Sequence, residues 1–243
     1  MKWNQGILLL ICCMSLFIDT ATSRAEAPNK LTYIALGDSL SAGIGASEVD
    51  YLRTPAFVPK FVTHLRKTND VYVENHSVPG LTTSGLYSFL TQNQGIQTKL
   101  KNANIISISI GGNDFLREIR SSEQVDEDNF KARAQTIYED VAAIVNYVES
   151  LNNDATILLF GLYSPYGDTH EYQEVSQLIL KDYHLLLQTL QSERVIVIDP
   201  HAPFIGKEVQ LTHIEDNDIH PNDEGYDILA NLLIKAYEKE AGR

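Results

Sequence analysis

Cysteine is almost missing from this sequence: Cys12 and Cys13, side by side near the N-terminus, are the only two in 243 residues. They lie in an apolar run over residues 6–18 (GILLLICCMSLFI). The run is too short to span a bilayer, which takes about 20 apolar residues. Lys2 precedes it, and Thr20-Ala21-Thr22-Ser23-Arg24-Ala25 follows it. A basic start, a short apolar core and small residues read as a secretory signal over residues 1–25. Cleavage suits Ala25, with Ser23 at the −3 position, or Ser23, with Ala21 there. A retained N-terminal anchor is the alternative. Lipoprotein processing fits poorly, because Cys12 follows Ile11 rather than a small residue. Residues 26–243 then contain no cysteine, which excludes disulfides and cysteine metal sites and leaves stability to the core. They are enough for one substantial domain. The expected location is extracellular, with no stable membrane insertion after cleavage.

Positive charge is also scarce. Nineteen Lys and Arg face 32 Asp and Glu, a formal net charge of −13, and loss of Lys2, Asp19 and Arg24 makes the remainder one unit more negative. Such a surface argues against nucleic acid as a partner and against electrostatic adhesion to anionic membranes. There is no internal repeat, low-complexity block or Gly/Ser linker. No H-E-x-x-H occurs. Asp216-Asn217-Asp218 opens like a calcium loop, but Pro221 stands where an EF-hand requires glycine. No metal and no cofactor is expected, and the sequence does not set the oligomeric state.

What is present is alternation. Leu31–Leu36, Val71–Glu74, Ile105–Ile110, Ala155–Phe160 and Val195–Ile198 are short, β-branched apolar runs that suit buried strands. Helical spacing of apolar residues predicts helices over about Asn129–Leu151, Tyr172–Ser192 and Asp223–Glu240. Strands alternating with helices imply a parallel sheet covered on both faces, a single three-layer α/β/α sandwich of about five strands. Ligands of such sheets bind beyond the carboxyl ends of the strands.

The residues there carry the chemistry. Gly37-Asp38-Ser39-Leu40 follows the first strand, Asn75-His76-Ser77-Val78-Pro79-Gly80-Leu81-Thr82 the second and Gly111-Gly112-Asn113-Asp114 the third; a loop after the fifth leads to Asn217-Asp218-Ile219-His220-Pro221. A serine hydroxyl attacks a carbonyl only when a base within hydrogen-bond reach takes its proton, and the resulting oxyanion needs preorganised donors. Ser39 offers the nucleophile and His220 the base. The Gly80 N–H, the Asn113 amide and the Ser39 N–H offer the donors. The alternative reading of Gly37-Asp38-Ser39 is a strand-ending turn with a helix cap. Asp114 reads as a helix start. His64, His76, His170, His184, His201 and His213 belong to no motif and read as surface or structural.

Four blocks in this order, covering essentially the whole of residues 26–243, resemble the GDSL or SGNH hydrolases, whose marker serine, glycine, asparagine and histidine match Ser39, Gly80, Asn113 and His220. The resemblance implies a flavodoxin-like sheet and metal-free hydrolysis of esters or thioesters. Absence of Gly-x-Ser-x-Gly around Ser39 favours this family over the α/β-hydrolase lipases. One position departs. The family's Asp-x-x-His block has Asn217 where the aspartate is expected, so the third catalytic partner is Asn217, one of its neighbours Asp216 or Asp218, or a backbone carbonyl. The implied activity is that of an esterase or lipase-type acylhydrolase acting on a small-molecule or lipid ester, with Phe57, Leu81, Leu86, Tyr87, Phe89 and Phe115 as candidate acyl contacts. A carbohydrate O-deacetylase of the same fold is the alternative, and a catalytically weak binding protein a remoter one.

Overall fold

The computed structural model describes residues 28–121 and 127–241. The signal-like segment, residues 1–25, lies outside them. Strand β1 (Asn29–Gly37) leads through helix α1 (Phe57–Leu65) to β2 (Asn69–Ser77), then through α2 (Thr83–Gln92) and α3 (Gln94–Leu100) to β3 (Ile105–Ser109). Helices α4 (Gly112–Ser121) and α5 (Glu127–Leu151) precede β4 (Thr156–Phe160), and α6 (Gln173–Gln188) precedes β5 (Val195–Ile198). The chain closes with the short α7 (Glu208–Leu211), a 3₁₀ turn at Ile214–Asp216, and α8 (Asp223–Ala241). All strands are parallel, in the order β2-β1-β3-β4-β5.

Side chains of a strand alternate between faces, and this builds two cores. Ile34, Leu36, Ile106, Ile108, Ile157 and Leu159 pack with α2, α3, α5 and α6. Tyr33, Ala35, Ile105, Leu158, Phe160 and Ile198 face the other way, toward α1 and α8. Every residue of β3 is buried, including Ser107, whose hydroxyl shares a 2.7 Å hydrogen bond with the Tyr33 hydroxyl. Parallel strands so enclosed need apolar sequence on both faces, which is why the central ones stand out. β2 is different: it is an edge strand with only Val71 buried. It is held along its whole length by pairing with β1, from Asn29↔Asn69 to Gly37↔Ser77, and not by burial as its sequence suggests.

The chain winds outward from β1 to β2 and then crosses back to β3. The switch point therefore lies between β1 and β3, where a crevice opens beyond the strand ends. Among the described residues no helix is long and apolar enough to cross a membrane.

Candidate active site

Ser39 begins where β1 ends. Gly37 cannot be replaced there without movement, since a Cβ would sit 2.4 Å from the Ser109 carbonyl oxygen of β3. The Asp38 N–H bonds that same carbonyl at 3.2 Å, and residues 38–44 then coil through bonds from Ala42 to Asp38, Gly43 to Leu40 and Ile44 to Ser39. The Tyr226 hydroxyl of α8 clamps the coil from below, donating to the Ile44 carbonyl at 2.7 Å and lying 3.2 Å from that of Leu40. The Asp38 carboxylate accepts the Leu40 N–H at 3.0 Å.

The histidine arrives from the other end of the chain, 181 residues later. His220 Nε2 lies 2.8 Å from Ser39 Oγ. Its Nδ1 is hydrogen-bonded to Asp218 Oδ1, which also accepts the His220 main-chain N–H at 3.1 Å. Burial alone would raise the Asp218 carboxyl. The two His220 N–H groups and the nearby His220 and His213 outweigh it and hold Asp218 below the usual carboxylate range. An ionised Asp218 can only accept, so Nδ1 carries the ring proton. Nε2 then presents its lone pair, and the Ser39 hydroxyl donates to it.

Asn217 stands apart from this chain of bonds. It is exposed, in the left-handed region at φ 58°, where it ends the 3₁₀ turn and its N–H bonds the Ile214 carbonyl. Asparagine tolerates that conformation better than most residues. The reversal it makes brings Asp218 round to the ring. Asp218 thus occupies the third position that the sequence pattern assigned first to Asn217, and Asp216 is exposed like Asn217.

Asn113, in the first turn of α4, donates from Nδ2 to the Leu81 carbonyl at 2.9 Å and to Asp38 Oδ2 at 3.2 Å. It ties the loops after β1, β2 and β3 together. Both of its N–H bonds are engaged here, so an oxyanion at this site takes the place of one of these acceptors. Gly80 is exposed at the third position of a turn closed by the Leu81 N–H and Val78 carbonyl at 3.0 Å. With Pro79 before it and φ 81°, the turn is of type II, the kind that calls for glycine. A Cβ on Gly80 would meet nothing within 4 Å, so the turn geometry requires the glycine, and the space beside it is open. Asp114 binds outside its own helix: its carboxylate accepts the Thr83 N–H and lies 3.0 Å from the Thr83 hydroxyl at the start of α2.

Asp38 is the electrostatic anomaly of the site. Burial, reinforced by the charge of Asp114, pushes its carboxyl up to about 7, against the opposing pull of the Leu40 N–H and the Asn113 amide. Desolvation thus favours the protonated form of the carboxyl that shares the Asn113 amide with the Leu81 carbonyl.

Ser39, Asn113 and His220 line one cleft of about 940 Å³, its open mouth included. Its far wall comes from α4, α5, the loop after β4 and α6, through Phe115, Leu116, Phe130, Leu162, Val175 and Ile179. Of the six residues expected to contact an acyl chain only Phe115 is among the lining residues. Phe57 and Leu86 are buried in the two cores instead. The sequence reading passed over the loop after β4, although the strand-end rule that selected its neighbours points to it equally. From this loop Tyr163 donates its hydroxyl to the Ile219 carbonyl at 2.7 Å, fixing the segment between Asp218 and His220. Behind it, His184 and His201 are buried, and each accepts a main-chain N–H of the loop, from Leu162 at 3.0 Å and Ser164 at 3.4 Å. Among the described residues no group of three or more His, Cys, Asp or Glu could hold a metal ion.

The chain is similar to known proteins along most of its length. Residues 35–228 match the model of the GDSL-like lipase/acylhydrolase family. Spore germination lipase LipC of Bacillus licheniformis is 26% identical over 84% of this chain and 94% of its own length. YpmR of Bacillus subtilis, an uncharacterised protein, is 24% identical over 96% and 93%. The crystal structure of the lipase Lip_vut3 from a goat rumen metagenome superposes with a TM-score of 0.75 at 26% identity, covering 85% of this chain and 97% of that one. With the family model spanning well over half of its length, this chain belongs to the GDSL-like lipase/acylhydrolase family.

Proposed function

We propose that the protein is a serine esterase that cleaves carboxylic esters with an extended acyl chain through an acyl-enzyme on Ser39. The observation that carries this reading is the unbroken line Asp218–His220–Ser39 at the mouth of an apolar cleft. His220 takes the Ser39 proton as Oγ attacks the ester carbonyl, and Asp218 stabilises the imidazolium that forms. The oxyanion is met by the Asn113 amide, the Gly80 N–H and the Ser39 N–H, of which each is worth about 2.7–4 kcal/mol when well placed. His220 returns the proton to the leaving alcohol. Water, deprotonated by the same ring, then releases the acid and restores Ser39.

The cleft supports the extended acyl chain. Its wall is almost wholly aliphatic and aromatic, and each buried methylene of an acyl chain gains about 0.8 kcal/mol there. An acetyl group leaves most of that wall unused, which weighs against the O-deacetylase reading. A series of p-nitrophenyl acetate, butyrate and octanoate decides between them: kcat/KM rises along the series for the proposed enzyme. A sharp acetyl preference, with acetate released from polysaccharide, would overturn it. The basic, apolar and small-residue segments of residues 1–25 support export, which N-terminal sequencing of protein recovered from culture medium tests.

A further inference from the structure

Beyond the Ser39 coil the chain makes a two-residue hairpin. Val49 and Leu52 exchange both main-chain hydrogen bonds, at 2.7 and 2.9 Å, as an antiparallel bridge. Asp50 and Tyr51 at the tip both have positive φ, 51° and 64°, the signature of a type I′ turn. Asp-Gly is among the favoured pairs for this turn, because glycine accepts positive φ without strain. Asp50 suits its place. Tyr51 does not: it puts an aromatic side chain on the position made for glycine, and it is 97% exposed, so no packing offsets the strain. Strain held without structural return is a pointer to use.

The rest of the hairpin agrees. Val49 is 52% and Leu52 63% exposed, so three large side chains stand in water at one narrow tip. An ion pair between Arg53 and Glu48, 2.6 Å apart, braces the stem. The base is rigidly tied to the catalytic loop. Ser47 donates its N–H to Asp223 at 2.8 Å, His213 Nε2 lies 2.8 Å from the Gly45 carbonyl, and a Cβ on Gly45 would lie 2.8 Å from the His220 Cβ. From Gly45 to Val49 is four residues, about 14 Å of chain at most. The tip is therefore tethered by a short length of chain to the segment packed against His220.

We propose that the Val49–Leu52 hairpin is a docking prong that inserts Tyr51, Leu52 and Val49 into an uncharged or zwitterionic lipid surface and so presents the cleft to esters held there. A tip two residues wide is too small for a stable protein interface, which takes about 800 Å² from each partner, but it suits penetration between headgroups. Tyrosine, apolar in its ring and polar at its end, favours that boundary. Asp50 flanks the apolar side chains, the charges of Glu48 and Arg53 offset one another in their ion pair, and the whole chain carries −13, so anionic lipid repels it. Three side chains give weak, reversible attachment. The purpose of the prong rests on the esterase reading; its binding does not.

The test is co-sedimentation of the purified protein with phosphatidylcholine vesicles, with and without added phosphatidylglycerol, for wild type, Tyr51→Gly and Leu52→Ser. Hydrolysis of soluble p-nitrophenyl butyrate is followed in parallel. Wild type is expected to sediment with phosphatidylcholine and to be released as the anionic lipid increases. Each variant should bind roughly tenfold more weakly, with soluble-ester hydrolysis unchanged. Tyr51→Gly creates the favoured Asp-Gly turn, so its Tm should equal or exceed that of wild type, which separates lost binding from lost fold. Wild-type protein that ignores phosphatidylcholine, variants that bind as it does, or tighter binding to anionic vesicles would each overturn the proposal. So would a dimer in light scattering that Tyr51→Gly abolishes, which assigns the tip to a second copy. Failure of wild type to cleave the soluble ester would instead strike the esterase reading and leave the binding result standing.

Discussion

Replacing Asp218 by asparagine keeps an oxygen in place to accept the two His220 N–H groups but removes the charge that faces the imidazolium. The size of the loss follows from where the carboxylate sits. Two unit charges about 4 Å apart interact by about 4 kcal/mol at an effective dielectric of 20 and by about 1 kcal/mol in water. The Asp218 side chain is 42% exposed, so water screens it in part and the value lies between, at about 2–3 kcal/mol. Because the carboxylate acts on the imidazolium that forms as the Ser39 proton is taken, the loss falls on kcat, by about 30- to 160-fold. Steady-state hydrolysis of p-nitrophenyl butyrate measures it. Two controls make the result specific. Asn217→Gly keeps the left-handed turn and Asp216→Ala removes an exposed carboxylate, and both should stay within about twofold of wild type. If Asn217→Gly loses as much as Asp218→Asn, or if Asp218→Asn is as active as wild type, the assignment of Asp218 is wrong.

Two further outcomes follow from the cleft and from Asp38. Val175→Trp fills part of the apolar wall and should cut kcat/KM for the octanoyl ester by about tenfold or more while sparing the acetyl ester; equal effects on both would show that the acyl chain lies elsewhere. The Asp38 carboxyl is raised in the folded state, so its contribution to stability is full below the ordinary carboxylate range and is lost as pH rises toward about 7. Denaturant titrations should show stability falling across that window, by at most about 1.4 kcal/mol per pH unit from this group. Asp38→Asn should remove that part of the slope, whatever constant offset it adds, and an unchanged slope would mean that Asp38 ionises normally.

How much of this was written in the sequence depends on what each element had to satisfy. β3, β4 and β5 show as apolar runs because neighbours or helices cover them, and α5, α6 and α8 show because each lays a long apolar stripe on the sheet. α1 and α4 are short, and the first turn of α1 contains Pro59, so periodicity over a few residues hardly marks them. β2 owes its length to pairing with β1, a relation that no local window contains. In the site, Ser39, Asn113 and His220 were legible because each follows a strand in a short polar, glycine-bearing block. Asn217 left the third partner open among itself, its neighbours and a backbone carbonyl for a physical reason: the position three before the histidine here takes a left-handed backbone, and asparagine meets that need while Asp218 makes the hydrogen bond. The cleft wall went unread because the loop after β4, with Leu162, Tyr163 and Pro165, carries apolar residues that resemble core.

The central claim is that Ser39 is a nucleophile activated by His220. It is tested most directly by intact-mass analysis after exposure to a fluorophosphonate, on wild type, Ser39→Ala and His220→Ala. The account predicts one covalent phosphonyl adduct on wild type, mapped to Ser39, none on Ser39→Ala, and labelling of His220→Ala slowed by orders of magnitude. An adduct on Ser39→Ala at the wild-type rate, or full ester hydrolysis by that variant, would contradict it.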